Sequence, residues 1–400
     1  MPDEPDSIMK ILYDHQIFQE QKFGGISRYF CEIIERLDKA DGMNVDLTVK
    51  YSQNEYLKRS GFSAKAEDNP DSYENFFGGD EFKGKWSLYK LRNRLRKPIE
   101  PHDVNKRLAI MALQKQDFDI FHPTYYDDYF LPYLGSKPFV LTVYDMIHEI
   151  YPEYFNLSDQ ISKRKCNLAQ RASKVIAISN STKKDLVQFF DIPEKKVEVI
   201  HLSNSIDSRL EANTHLTTLP SRFLLFVGSR SAYKNFFFFI NSVKSILAAD
   251  PTLHLVCTGS PFNNNEKAFL EQNGVEVRTH NYSATDAELK LLYQQALVFV
   301  FPSLYEGFGL PVLEAFSGGC PTVLSDSGSL PEIGGDGAIY FEPKNSSSLQ
   351  AAISKALYSE QFRADLIERG NKRLRLFSWE ETCSKTESVY REIFNTDRKV

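Results

Sequence analysis

Pro302-Ser303-Leu304-Tyr305-Glu306-Gly307-Phe308-Gly309-Leu310-Pro311-Val312-Leu313-Glu314 follows directly on the apolar run Leu297-Val298-Phe299-Val300-Phe301. The run reads as a buried parallel strand, Gly307-Phe308-Gly309 as a tight loop, and Pro311 as the first residue of a helix. A strand, a glycine-bearing loop and a helix start, in that order, aim backbone N–H groups and the positive end of a helix dipole at one spot, which suits an anion. Glu306 precedes the glycines and Glu314 lies about one turn into the helix, so two carboxylates flank that spot. Carboxylates accept hydrogen bonds from hydroxyls and repel phosphate, so the ligand should carry hydroxyls on both sides of its phosphate, as a nucleotide sugar does. Each glutamate alone also fits a plainer reading, Glu314 in a surface helix pair and Glu306 at a strand end.

Working outward, a second alternation of strands and helices surrounds this stretch: strands at Phe223 to Val227, His254 to Thr258, Val275 to Thr279, Leu297 to Phe301, Thr322 to Ser325 and Ala338 to Phe341. Arg230 and Lys234 sit in the first strand-to-helix turn of this series. Cations disfavour a helix N-terminus unless something negative lies there, so they are read as neutralising a diphosphate. A first alternation precedes it, with strands at Ile8 to Phe18, Val45 to Tyr51, Asp119 to His122, Phe139 to Asp145, Ser173 to Ser179 and Val197 to Leu202. Gly24-Gly25 closes the first strand-to-helix loop and lets backbone approach a ligand. His122, Asp145 and His148 fall at strand carboxyl ends, where ligands of open α/β sheets collect. Ser179-Asn180-Ser181-Thr182 offers helix caps through about Phe190. Asp117-Phe118-Asp119 formally matches a metal motif but precedes a strand, which favours a strand-entry turn; no metal site is expected. Ser203 to Ser221 is the linker, Ser52 to Pro101 is irregular, and Trp379 opens a helix that returns to the first domain. The expected units are 8–203, 204–376 and a crossover helix 377–396.

Composition bounds the rest. The 400 residues with 42% hydrophobic content suffice for two cores, and the formal net charge of −5 gives no reason to expect nucleic acid. Cys31, Cys166, Cys257, Cys320 and Cys383 are scattered, as reduced thiols of a cytoplasmic protein would be. The acidic start lacks an apolar signal core, and no run approaches the roughly 20 residues that span a bilayer. Lys83, Lys85, Lys90, Arg92, Arg94, Arg96 and Lys97 interleave with Trp86, Leu88, Tyr89, Leu91 and Leu95, so residues 83–97 are either a solvated face, a grip for a phosphate-bearing acceptor or a peripheral contact with an anionic membrane.

Tyr-Glu-Gly-Phe-Gly-Leu-Pro-Val-Leu-Glu, with seven residues between Glu306 and Glu314, resembles the Glu-x7-Glu motif of retaining glycosyltransferases of family 4. The likeness extends to Gly24-Gly25-Ile26-Ser27-Arg28-Tyr29, Thr142 to Asp145, Ser179 to Thr182, Gly228-Ser229-Arg230 with Lys234-Asn235, Ser327 to Glu332 and Phe377 to Glu380, sparing Ser52 to Pro101. The resemblance implies the GT-B fold: α/β, two doubly wound Rossmann-like domains facing a central cleft, with a C-terminal helix crossing back to the first domain. It further implies that Glu314 holds the donor ribose, Glu306 the transferred sugar, and Arg230 with Lys234 the diphosphate. Backbone amides of Phe308, Gly309 and Leu310 would join them, with Gly25, beside Gly24, approaching from the first domain. Many members carry histidine where this chain has Tyr144, and His148 stands three residues beyond Asp145 as a substitute.

The activity so implied is transfer of a hexose from a nucleoside diphosphate sugar, a GDP-hexose first and a UDP-hexose next, to a glycan or lipid-linked glycan acceptor such as an O-antigen or capsule. No cofactor is expected. The other readings are a nucleotide-sugar epimerase or hydrolase on the same fold, and a non-catalytic sugar-nucleotide-binding protein.

Overall fold

The computed structural model describes residues 8–96, 98–156, 160–204 and 219–397. The first half contributes β1 Met9–Tyr13, β2 Met43–Leu47, β3 Ile120–His122, β4 Val140–Val143, β5 Lys174–Ala177 and β6 Val197–Val199. They form two three-stranded sheets, β2-β1-β3 and β4-β5-β6, stitched by a parallel bridge between Phe121 and Phe139. The second half contributes β7 Phe223–Phe226, β8 His254–Thr258, β9 Thr279–Tyr282, β10 Val298–Phe301, β11 Thr322–Ser325 and β12 Ala338–Phe341, ordered β12-β11-β10-β7-β8-β9. Every described ladder is parallel.

Strand order therefore reverses once in each half, between β1 and β3 and between β7 and β10, and crevices open outside the carboxyl ends at such switch points. Side chains alternate across the second sheet. Leu224, Phe226, Val298 and Val300 join one apolar cluster, while Phe223, Leu225, Phe299 and Phe301 join another that continues through the first half. Burial on both faces is why these strands read as unbroken apolar runs. Two doubly wound Rossmann-like halves result. The expected boundary at 203/204 adjoins residues 205–218, which lie outside the described residues together with most of the linker.

Some expected extents change. The first strand stops at Tyr13, because the Asp14 carboxylate gathers the Thr124 N–H at 2.9 Å and the Tyr129 hydroxyl at 2.9 Å, and a short helix Gln16–Glu20 follows. The strand expected at Val275 to Thr279 begins only at Thr279; Glu276–Arg278 is a 3-10 turn after left-handed Gly274, and Val277 is 90% exposed. The stretch expected to be irregular holds helices Glu55–Arg59 and Lys85–Leu95. Asp117 and Asp119 hold Lys10, through its ammonium at 2.5 Å and its N–H at 2.8 Å, as a strand-entry turn should.

The closing helix Trp379–Asp397 does return to the first half. Its Tyr390 hydroxyl lies 2.6 Å from His122 Nδ1 and 2.6 Å from the Tyr13 hydroxyl, and Thr142 Oγ1 lies 3.0 Å from His122 Nε2. His122, expected at the ligand edge, is thus a fully buried core residue with both ring nitrogens partnered.

The halves also meet directly. Glu332, from the second, accepts the Asn180 N–H at 2.9 Å, the Ser181 N–H at 3.2 Å and the Asn180 side-chain amide at 2.8 Å, and pairs with His201 at 2.6 Å. Burial works to raise its pKa, but these donors outweigh burial and the carboxyl sits below its ordinary value. The Tyr305 hydroxyl donates to Asp185 at 2.6 Å. The Ser179 hydroxyl, while capping its own helix, donates to the Gly307 carbonyl at 2.7 Å. A Cβ on Gly307 would stand 1.7 Å from the Tyr144 carbonyl oxygen, so only glycine permits this approach.

Two outcomes are expected. Gly307→Ala should separate the halves or strain them by about 1–3 kcal/mol, the usual range for overpacking; an unchanged radius of gyration with an unchanged melting temperature would refute the contact. Burial lowers the His122 pKa from 6.5 to about 3. The unfolded chain then binds the extra proton, so this stability is complete above pH 6.5 and lost as pH falls. Between pH 7.5 and 5.5 the wild type should lose about 1.4 kcal/mol more than His122→Gln in urea titrations.

Candidate functional site

The crevice of the second sheet opens where β7 and β10 end. After β10 the chain runs through Pro302 to Gly309 into the helix Leu310–Ser317, with Gly309 as N-cap at φ +98° and Leu310, not Pro311, as first residue. The loop is held from behind by its carbonyls. Ser329 Oγ donates to the Phe308 carbonyl at 2.7 Å, and Ser179 and Thr182 Oγ donate to that of Gly307 at 2.7 and 3.3 Å. Because each peptide is planar and trans, the N–H groups of Phe308 and Gly309 point the opposite way from those hydroxyls.

After β7, the 3-10 turn Ala232–Lys234 delivers the Lys234 ammonium to Glu306 at 2.6 Å. The side chains are 14% and 11% exposed. Burial works to lower the Lys234 pKa, but the Glu306 carboxylate outweighs it and the ammonium is held above its ordinary value. Arg230 is turned the other way. Its Nε lies 2.8 Å from Glu266, Nη2 donates to the Ser260 carbonyl at 2.5 Å, and the guanidinium rests 4.7 Å from the Phe262 ring centre. Lys234 and Glu306 are therefore together, while Arg230 is held on the β8 side of the same crevice.

From the first half, a Cβ on Gly25 would meet Leu310 Cδ1 at 2.8 Å, and one on Gly307 would meet Asp145 Cβ at 2.9 Å. Gly25 and Asp145 thus close on the loop. Gly24 instead packs on Gln21, whose side-chain oxygen accepts the Ser27 N–H at 3.1 Å and caps the helix Gly25–Leu37. Asp145 is positioned by its own turn, accepting the Ile147 N–H at 3.1 Å, and by buried Lys165, which donates to its carbonyl and to Glu149, each at 2.9 Å. The His148 ring stacks on Phe155 with centres 3.8 Å apart. Tyr144 is buried and its hydroxyl donates back to the Thr124 carbonyl at 3.4 Å. Phe308 packs in the core near Phe377.

Glu314 accepts from the Tyr293 hydroxyl at 3.2 Å, and burial raises its pKa against the opposing pull of Arg28. Arg28 was missed as a site residue in the sequence. It projects from the Gly25–Leu37 helix to Asp286 at 2.5 Å and the Tyr56 hydroxyl at 2.7 Å, bridging the cleft beside Glu314. The available signal was an arginine within the buried run Ser27 to Cys31, which demands a partner. Lys165 and Glu149 carried no such signal, because nothing in their spacing pairs them with Asp145.

With this geometry established, known proteins can be compared. The description Glycosyltransferase Family 4 matches residues 23–207, and Glycosyl transferases group 1 matches residues 209–373. The O-antigen chain mannosyltransferase B of Escherichia coli is 26% identical over 305 residues, 72% of this chain and 78% of the relative. Among solved structures, a glycosyltransferase from Rickettsia africae superposes with a TM-score of 0.69 at 16% identity, covering 96% of this chain and 98% of that one. Anabaena HepE, in complex with UDP-glucose, superposes with a TM-score of 0.69 at 18% identity, covering 98% and 100%. Matched along both halves, and folded as its solved structures are, the chain is a GT-B glycosyltransferase and belongs to family 4.

Proposed function

We propose that this glycosyltransferase moves a hexose, mannose or a close relative, from a nucleoside diphosphate sugar to a hydroxyl of a polysaccharide or lipid-linked oligosaccharide, with retention of configuration. The observation that carries the reading is the Lys234–Glu306 pair at the switch point of the second sheet, a cation for phosphate beside a carboxylate for sugar hydroxyls. The mannosyltransferase named above supports mannose, and the UDP-glucose held by HepE keeps a UDP-hexose next to a GDP-hexose as donor.

Departure of the diphosphate breaks the C1–O bond while positive charge develops on the sugar ring. Lys234, the N–H groups before the helix Leu310–Ser317, and Arg230 once released from Glu266 stabilise the departing negative charge electrostatically. The acceptor oxygen bonds to C1 on the same face, and its proton passes to the leaving phosphate oxygen. Glu306 orients the sugar and Glu314 the ribose. Gly25 lets the first half approach the phosphates.

The acceptor side includes a membrane contact. No described helix is long and apolar enough to cross a bilayer. On Lys85–Leu95, however, the inward face carries Lys85, Tyr89 and Arg92, while Leu88, Leu91 and Leu95 are 45%, 52% and 80% exposed. Lys90 and Arg94 lie beside that strip. An exposed leucine strip flanked by cations suits an anionic lipid surface. Lys97 lies outside the described residues.

A thermal-shift screen should show selective stabilisation by one nucleoside diphosphate, about 2.7 kcal/mol at a hundredfold excess over its dissociation constant. With donor and acceptor found, Lys234→Ala should lose roughly 10²-fold in kcat, the scale for one key stabiliser, and product NMR should show the donor's anomeric configuration; normal turnover by the variant, or inversion, would overturn the mechanism. Vesicles containing anionic lipid should sediment the protein where neutral vesicles do not, and Leu91→Glu with Leu95→Glu should abolish it. Equal sedimentation of the double variant would remove the helix from the contact.

A further inference from the structure

The second switch point, in the first sheet, has its own crevice. A cavity of about 360 Å³ opens there, between the chain leaving β1, which supplies Gln16 and Gln19, and the chain leaving β3, which supplies Tyr125, Tyr126 and Asp127, with Arg164 at its margin. That volume lies at the lower end of small-molecule sites, roughly 300–1,000 Å³. The walls are built rather than incidental. Asp127 N–H donates to the Gln16 side-chain oxygen at 2.7 Å, the Gln16 amide donates to the Asp127 carbonyl at 3.0 Å, and the two tyrosine rings lie 4.6 Å apart. Gln19, which lines the cavity, has a buried side-chain oxygen with no hydrogen-bond partner among the described residues. Burying polar atoms without partners is costly unless something else satisfies them. Planar amides and carboxylates bind vicinal hydroxyls, and aromatic rings cover the C–H face of a pyranose.

Tyr126 relates this cavity to the transfer centre. Its ring lines the cavity, and its hydroxyl accepts the Tyr144 N–H at 3.1 Å, directly before the Asp145 that abuts Gly307. The Tyr126 side chain and the Tyr144–Asp145 backbone thus connect the two spaces. Resting on the proposed glycosyl transfer, we infer that this cavity binds a second sugar of the acceptor, the unit adjoining the one that receives the hexose. The enzyme would then extend an existing glycan of at least two units and read its penultimate residue.

The test uses the full chain and saturation-transfer NMR with methyl glycosides of mannose, glucose, galactose and N-acetylglucosamine, and with their α- and β-linked disaccharides, with UDP and GDP titrated in parallel. At least one disaccharide should bind roughly tenfold more tightly than its monosaccharide. Gln19→Ala and Tyr125→Ala should each erase that advantage, roughly tenfold, while leaving nucleotide affinity and melting temperature unchanged. Nucleotide binding with no disaccharide advantage, or an advantage that survives both variants, overturns the inference and leaves the transferase reading intact. Failure of every nucleotide to bind overturns the transferase reading on which the inference rests. If Tyr125→Ala melts early, Gln19→Ala alone decides.

Discussion

Two backbones meet at Gly307 and Tyr144, and the architecture of the cleft depends on that meeting. The same carbonyl of Gly307 that takes hydroxyls from Ser179 and Thr182 belongs to the loop carrying Glu306, so the contact that joins the halves also fixes the loop that faces the ligand. Glu332, from the segment after β11, repeats the device, satisfying the orphan N–H groups of a helix in the opposite half. Cohesion and site geometry are therefore one set of bonds, and a change that loosens either loosens both.

Charge is arranged on the same plan. Lys234 rests on Glu306, Arg230 on Glu266 and Arg28 on Asp286, so each cation around the crevice already holds a carboxylate. Without such partners a buried lysine would shed its proton, and a buried arginine, which keeps its charge, would draw water into the cleft. The diphosphate of the proposed donor would exchange one anion for another at Lys234, already oriented by Glu306, whereas Arg230 would first have to leave Glu266.

The sequence made the second half legible because its strands are buried on both faces and bounded by glycine and proline, so β11 and β12 were placed to the residue and β10 to within one. The first half was less so. His122 ends a strand like a ligand residue, and its place in the core depends on partners distant in sequence, among them Tyr390, which lies 268 residues away. Val277 fits an apolar alternation that the left-handed turn at Gly274 breaks. Lys234 with Glu306 was legible as chemistry, whereas the turning of Arg230 to Glu266 depends on the β8 loop, for which local spacing holds no record. Residues 52–101 resisted because their helices pack through cation–aromatic contacts, such as Arg92 against Phe76 and Tyr89, that have no period.

The hydroxyl of Tyr390 completes a polar chain through Tyr13 and His122 in the middle of the first half. During synthesis, β1 and β3 leave the ribosome hundreds of residues before that hydroxyl exists, and until then two buried polar groups lack their partner. The half that is made first is finished last. Its core is sealed by a helix that follows the whole second half in sequence, so a polypeptide cut short before Trp379 leaves Tyr13 and His122 without the Tyr390 hydroxyl however well its second half has folded.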